Sequence, residues 1–228
     1  MKKTRSARRM QKMLIMVAAL TLVLGVAIGG TVAYLVATTA QVQNTFTVGK
    51  IEIDLDEAPV VDNKETTGDR VKANAYKVIP GDVIDKDPTV TVKSGSEKCY
   101  VFVLVTNSVA VNKDGDTGAD LATPLNVASW TANAAWSPIA TKTAADGTVK
   151  TLYVYGTADA GTEVDATATE KVLAPVFEEV TISNAVTEKN IETITTADKI
   201  LVDAYAHQSE NVQFATVKTT AINFFGMN

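Results

Sequence analysis

Apolar and polar residues alternate with a period of two over several stretches of the chain, and this period predicts half-buried β-strands. The first stretch is residues 42–56, in which the phase of the alternation changes at Gly49 and Lys50. A one-residue shift of this kind is typical of a β-bulge. The strongest stretch is Cys99–Asn107, which carries no charge and is rich in β-branched and aromatic residues. We expect it to be a central strand, buried on both faces or nearly so.

The remaining pattern predicts an all-β fold. Further strands are predicted over residues 87–92, 148–155, 172–182 and 199–207, with a short extended stretch over 75–79. Turns are predicted at Pro80-Gly81, residues 94–96 and Asp146-Gly147, and loops over 57–70 and 156–170. A short amphipathic helix is predicted over residues 211–220, and a short helix or a loop is predicted over residues 187–197. Because strands do not alternate with helices, we expect an antiparallel β-sandwich, jelly-roll-like, with short helical insertions. Residues 34–228 should form a single domain.

The first 33 residues have the parts of a secretory signal peptide. Residues 2–12 are basic, residues 13–28 form an apolar run, and a glycine pair ends it. The small residues Thr31 and Ala33 then predict cleavage between Ala33 and Tyr34. The alternative is an uncleaved membrane anchor, because residues 13–36 could cross a bilayer of ~30 Å. The glycine pair and the polar residues after it favour cleavage and secretion, with membrane contact only through the uncleaved leader.

Charge and rare residues exclude several classes of function. The chain carries a net charge of −5, but residues 1–33 hold six basic groups and no acid; the rest has 15 basic and 26 acidic residues, which gives −11. Such a body repels nucleic acid. The single cysteine, Cys99, cannot form an intramolecular disulfide, and the single histidine, His207, leaves a zinc site or a catalytic triad short of residues. We therefore predict no catalytic residue, no metal and no cofactor.

Three weaker candidates have two interpretations each. Oxygen side chains alternate over residues 112–120, as in calcium loops, but the glycine positions and the missing closing glutamate favour a solvated turn. Trp130 and Trp136 could form a carbohydrate-stacking surface, although packing in the core is the stronger prediction. Cys99 and His207 are predicted to be a core or edge thiol and a strand-end residue.

Several motifs resemble those of one family. They are GGTVAY at residues 29–34, NTFTVGKIEIDLDE at 44–57, and a PGD-then-DP pattern at 80–88 that leads into TVTVKSGSEKCYVFVLV; AYAHQ at 204–208 fits the same set. Together they resemble the TasA/camelysin family of exported proteins from Gram-positive bacteria. The resemblance is specific over residues 25–107 and 199–215, whereas about 108–198 looks like a variable insertion.

The resemblance implies a secreted structural protein. Members of this kind are processed by a dedicated ER-type signal peptidase and form homo-polymers in biofilm-matrix fibres by donor-strand exchange, with accessory matrix or anchor proteins as further candidate partners. Residues 34–48 would then be the assembly strand, since an extended peptide can pair with an open sheet edge. Its candidate apolar anchors are Tyr34, Val36, Val42, Phe46 and Val48. The alternative is that this stretch is the domain's own edge strand.

The resemblance also brings in a competing activity. Camelysin-type members are described as metalloproteases, but this chain lacks an H-E-x-x-H motif and has one histidine. The sequence therefore predicts a structural protein and no enzyme. A camelysin-like secreted metalloprotease and a membrane-anchored surface binding module are the two alternatives.

Overall fold

The computed structural model describes residues 9–10, 12–16, 49–195 and 197–228. The chain divides into two compact units, Met1–Thr47 and Val48–Asn228. In the first unit, residues 9–10 and 12–16 are helical. No helix in the described ranges is both long and apolar enough to cross a membrane.

The second unit is built almost entirely of antiparallel strands. They are β1 (Ile53–Asp56), β2 (Val60–Val61), β3 (Lys64–Glu65), β4 (Val83–Asp85), β5 (Thr89–Val92), β6 (Cys99–Asn107), β7 (Ala110–Lys113), β8 (Asp120–Asn126), β9 (Ala128–Ser129), β10 (Trp136–Thr143), β11 (Val149–Tyr155), β12 (Lys171–Val172), β13 (Glu179–Ile182) and β14 (Ile200–Gln208). A short 3-10 helix covers Ile191–Thr193, and a C-terminal helix covers Phe214–Phe224. The all-β prediction is confirmed.

The strands form one four-stranded sheet and two three-stranded sheets. The central sheet has the order β10-β11-β6-β14, and the others have the orders β1-β5-β12 and β4-β13-β9. β2-β3 and β7-β8 are separate hairpins. The prediction of a strand over Cys99–Asn107 between two neighbours is confirmed, because β6 pairs with β11 on one side and with β14 on the other.

The two faces of β6 pack into two different cores. Val101, Val103 and Val105 are fully buried in the main core, which β1, β5 and β13 also line. Phe102 and Leu104 project to the opposite face, where Val217 and Ala221 of the C-terminal helix cover them together with Met227, which follows the helix. Each fully buried side chain of this size contributes about 1.5–3 kcal/mol. The uncharged sequence of β6 follows from this burial on both faces.

The loop predicted over residues 57–70 contains the β2-β3 hairpin instead. Asp62 and Asn63 form its two-residue turn with φ of 48° and 65°, and such a turn matches the twist of the two strands. Asn63 is 2% exposed and donates to Lys77 O and Asp82 Oδ2, each at 2.8 Å. The prediction missed the hairpin because its strands are short and polar.

Other boundaries also differ from the predictions. Residues 172–182 do not form one strand, because Pro175 has no N–H to donate and β12 and β13 lie on either side of it. Residues 75–79 are extended without pairing, and β4 was not predicted. The C-terminal helix begins later and ends later than the predicted residues 211–220.

The first predicted strand is described only in part, because residues 42–48 lie outside the described ranges. Residues 49–52 are not in a strand, and the bulge at Gly49 and Lys50 stays a prediction because the stretch before it lies outside the described residues. This segment still follows the turn after β5: Glu97 N donates to Lys50 O and Lys93 N to Glu52 O, each at 2.9 Å. Ser96 Oγ accepts from Glu52 N at 3.0 Å. The Ser96 side chain therefore continues the hydrogen-bond ladder between the two segments before β1 begins.

Candidate functional site

The central sheet ends in two edge strands of different character. β10 carries Pro138, and its register with β11 shifts between Pro138 and Ala140. Proline and irregular register both hinder the addition of a further strand. β14 pairs with β6 in continuous register over nine residues, from Ile200 opposite Asn107 to Gln208 opposite Cys99. It has no second strand partner among the described residues, so it presents the longer and more regular edge.

One face of β14 is apolar and only half-buried. Ile200, Val202, Ala204 and Ala206 lie opposite the core residues of β6 and pack against the main core. Each remains partly accessible, although the β6 residues opposite them are almost fully enclosed. The core is therefore incompletely covered along this edge.

β1 is the edge of the facing sheet on the same side of the sandwich. It pairs only with β5 in the described part of the chain, with Ile53 opposite Val92 and Leu55 opposite Val90. Ile53 and Leu55 are half-buried against the main core. β1 and β14 approach within 8 Å between Cα atoms without pairing to each other. We call β14, β1 and the half-buried side chains between them the open seam.

Side chains cap β1 but not β14. Leu55 N donates to Asp54 Oδ1 at 2.9 Å, and Leu55 O accepts from Lys72 Nζ at 2.7 Å. Lys72 also pairs with Asp54, and its hydrogen bond holds the pKa of Asp54 below its ordinary value against the opposing effect of burial. Charged side chains on an edge block strand addition. In the described residues no side chain bonds to the backbone of β14 between Ile200 and Ala206, so β14 is the more open half of the seam.

The predicted assembly residues cannot be placed. Tyr34, Val36, Val42, Phe46 and Val48, and the cleavage pair Ala33 and Tyr34, all lie outside the described residues. Gly49 is the first described residue after this stretch, and an added Cβ there would lie 2.7 Å from the Glu97 side chain.

The two tryptophans pack in the interior. Trp136 is 3% exposed and donates from Nε1 to Ala174 O at 2.8 Å. Trp130 stacks on Phe177 with ring centroids 4.8 Å apart and donates to Tyr153 Oη at 3.2 Å. The prediction of packing is confirmed, and these rings form no exposed stacking platform.

Residues 112–120 cover the end of β7, the turn at residues 114–119 and the start of β8. The Asp114 carboxylate accepts from the backbone N–H of Thr117 at 2.7 Å and of Asp116 at 3.1 Å, and from the Thr117 hydroxyl. These bonds, that of the Thr117 N–H foremost, lower the pKa of Asp114. Lys189 donates to Asp116 O. The carboxylate therefore stabilises the turn itself, as the solvated-turn interpretation predicts.

Cys99 and His207 lie at one end of the β6-β14 pair. Cys99 is fully buried, and burial, with the charge of Glu163, raises the pKa of its thiol to about 11. It is thus a core thiol without thiolate character at neutral pH. His207 lies opposite Tyr100, with its Nδ1 2.8 Å from Gln208 O.

A family model described as camelysin metallo-endopeptidase matches residues 8–152 of the chain. This range includes most of the predicted leader and the strands from β1 to the middle of β11. No curated protein and no solved structure matches.

The donor set does not fit the zinc site that this description implies. A catalytic zinc needs three protein ligands, usually with histidine among them. The chain has only one histidine, His207, and the described residues contain no group of three His, Cys, Asp or Glu side chains that could hold a metal.

Because the match spans more than half of the sequence, the resemblance seen in the motifs is confirmed, and the chain belongs to the camelysin family.

Proposed function

We propose that this protein is a secreted structural subunit of extracellular biofilm-matrix or cell-surface filaments. In this proposal residues 34–48 of one copy add a strand to the open seam of the next. The observation that carries it is the nine-residue edge of β14, regular, uncapped between Ile200 and Ala206, and flanked by half-buried apolar side chains.

The dimensions of the two parts agree. A strand rises about 3.3 Å per residue, so the nine residues of β14 span about 30 Å and a 15-residue donor reaches at most about 50 Å. A donor of this length can pair along all of β14 and still span the gap between two copies. Backbone hydrogen bonds would supply much of the affinity, as in other cases of strand addition.

The side-chain pattern of the donor also fits. Its apolar anchors all occupy even positions, namely Tyr34, Val36, Val42, Phe46 and Val48. Alternate residues of a strand lie on one face, so these five side chains can enter the seam together. There they would complete the cover over Val202 and Ala204.

Export would prepare the donor. Cleavage after Ala33 by a signal peptidase of the dedicated ER type would make Tyr34 the first residue and free this segment for a neighbouring copy. N-terminal sequencing of secreted protein should begin at Tyr34. A secreted form that retains the leader would instead support the membrane-anchored binding module.

Electron microscopy of the purified mature protein tests the proposal. We expect filaments from residues 34–228 and none from residues 49–228. A synthetic peptide of residues 34–48, added in excess to the mature protein, should shorten the filaments because it occupies seams. A peptide with the same composition in scrambled order is the control. Equal filaments with and without residues 34–48 would refute strand donation.

We further propose that the protein is not itself an endopeptidase, because the residues that could bind a metal do not fit a zinc site. Purified protein incubated with zinc should not degrade casein above the blank. Proteolysis that zinc chelation stops and that His207→Ala abolishes would establish the camelysin-like protease instead. A contaminating protease would be unaffected by His207→Ala.

A further inference from the structure

A lysine, an asparagine and a glutamate meet below the β2-β3 hairpin. Lys86 follows β4 and is 6% exposed, and its Nζ bonds to Oε1 of Glu57. Asn74 donates from Nδ2 to Oε2 of the same carboxylate at 3.2 Å. One carboxylate therefore binds the amine through one oxygen and the carboxamide through the other, so both groups gather at Glu57.

The surroundings shield this group from much of the solvent. The side chain of Glu57 is 12% exposed. Tyr76 donates its hydroxyl to Glu57 Oε2 at 3.1 Å, and its ring centroid lies 5.4 Å from Lys86 Nζ. Burial, together with the charge of Glu57, raises the pKa of Tyr76, so its hydroxyl stays protonated. An ion pair in such a place costs desolvation energy that the pairing only partly returns.

The carboxamide of Asn74 is oriented and polarised. Its Oδ1 accepts from Val60 N at 3.0 Å, and its Nδ2 also donates to Ala58 O at 2.9 Å. A backbone N–H on the carbonyl oxygen is the type of donor that stabilises negative charge developing there during attack at the carbon. The carboxamide is thus held as an electrophile beside an amine.

We propose that Lys86 and Asn74 form an intramolecular isopeptide bond, with Glu57 as the catalytic residue. Glu57 takes a proton from the Lys86 ammonium, which frees the Nζ lone pair to attack Cγ of Asn74. The Cγ–Nζ bond forms and the Cγ–Nδ2 bond breaks. Two of the three ammonium protons pass through the carboxylate to the departing nitrogen, which leaves as ammonium, and Glu57 ends as the carboxylate. No oxidant or reductant is needed, because an amine replaces ammonia on an amide.

The bond would serve a filament subunit. It would close the chain from Asn74 to Lys86, which contains the Pro80-Gly81 turn and β4, and a covalent link of this kind limits the unfolded chain as a disulfide does. The chain has no disulfide to do this, because Cys99 is its only cysteine. The inference does not depend on strand donation, since the three side chains belong to one copy.

Mass spectrometry of the folded, secreted protein tests the bond. The intact mass should be lower than the sequence mass by one ammonia. In a tryptic digest, cleavage after Lys86 should be absent. The peptide of residues 73–77 should appear joined to that of residues 78–93. A full sequence mass, or an ammonia loss that maps to another asparagine, would overturn the proposal.

Variants test the role of each group. Lys86→Arg and Asn74→Ala should restore the full sequence mass, and so should Glu57→Gln, which retains the size of the side chain but not its basicity. Lys64→Arg, at an exposed lysine paired with Asp85, is the matched control and should keep the ammonia loss. If Glu57→Gln loses ammonia as completely as the unaltered protein, Glu57 has no catalytic role. The digest of the unaltered protein decides the bond itself even if a variant does not fold.

Discussion

Replacement of a single donor anchor should raise the concentration needed for assembly. Phe46→Ala removes a large, wholly apolar side chain from the set that we place in the seam, opposite the half-buried Val202 and Ala204. Burial of a side chain of this size contributes about 1.5–3 kcal/mol. A loss of about 2 kcal/mol per contact between copies corresponds to about a 30-fold weaker association. The critical concentration for filament formation should rise by the same factor.

The assay is sedimentation of filaments over a concentration series, with the soluble protein measured at each point. Thr47→Ala is the matched control, because residue 47 would lie on the opposite face of the proposed donor strand. It should change the critical concentration by no more than a few-fold. Equal critical concentrations for Phe46→Ala and Thr47→Ala would refute the assignment of the even positions to the seam.

Three further predictions concern the folded unit. Phe102→Ala should lower the free energy of unfolding by about 3–5 kcal/mol in urea titrations, because Phe102 is fully buried below the C-terminal helix; Leu201→Ala, at a residue 52% exposed, should stay within about 0.5 kcal/mol, and similar losses would contradict the packing. The pKa of Asp114 is lowered in the fold, first by the hydrogen bond from the Thr117 N–H. The carboxylate therefore contributes stability above the ordinary aspartate pKa, and this contribution is lost as the pH falls through the lowered pKa. The free energy of unfolding measured from pH 6 to pH 2 should fall less for Asp114→Asn, and the same pH profile for both proteins would contradict the turn geometry. Cys99 should react with a thiol reagent only in denaturant, because burial raises its pKa to about 11, and rapid native labelling would contradict its position in the core.

The strands that were predicted correctly are those whose burial dictates their sequence. β6 lies between two cores, so all its positions are apolar or uncharged, and a pattern of that kind has few alternatives. β11 and β14 were predicted for a similar reason, since each pairs along β6. A strand that pairs continuously over many residues shows a continuous pattern of apolar residues in the sequence.

The elements that were missed are held by contacts between distant residues. The β2-β3 hairpin contains mostly polar residues and is fixed by Asn63, which bonds to Lys77 and Asp82. β4 has three residues, too few for a period to show. The local signal for the hairpin is the residue pair Asp62-Asn63 in its turn. Aspartate and asparagine tolerate the positive φ values found there better than most residues do.

The candidate sites were predictable only in part. The apolar anchors of the donor come from the sequence pattern and stay a prediction. The acceptor could not be predicted, because an open edge is a property of sheet order. Glu57, Asn74 and Lys86 are likewise separated in the chain, and no single sequence pattern links the three. Asp87-Pro88, which follows Lys86 directly, was noted for the family resemblance alone.

Hydrogen exchange at β14 tests the central claim most directly. The backbone amides of Ile200–Gln208 that do not pair with β6 should exchange fast in residues 49–228 alone and slowly in filaments of the mature protein. β10, the opposite edge of the same sheet, provides the internal control and should exchange equally in both states. Slower exchange confined to β14 is the predicted result. Unchanged exchange at β14 in intact filaments would show that the next copy does not add a strand there.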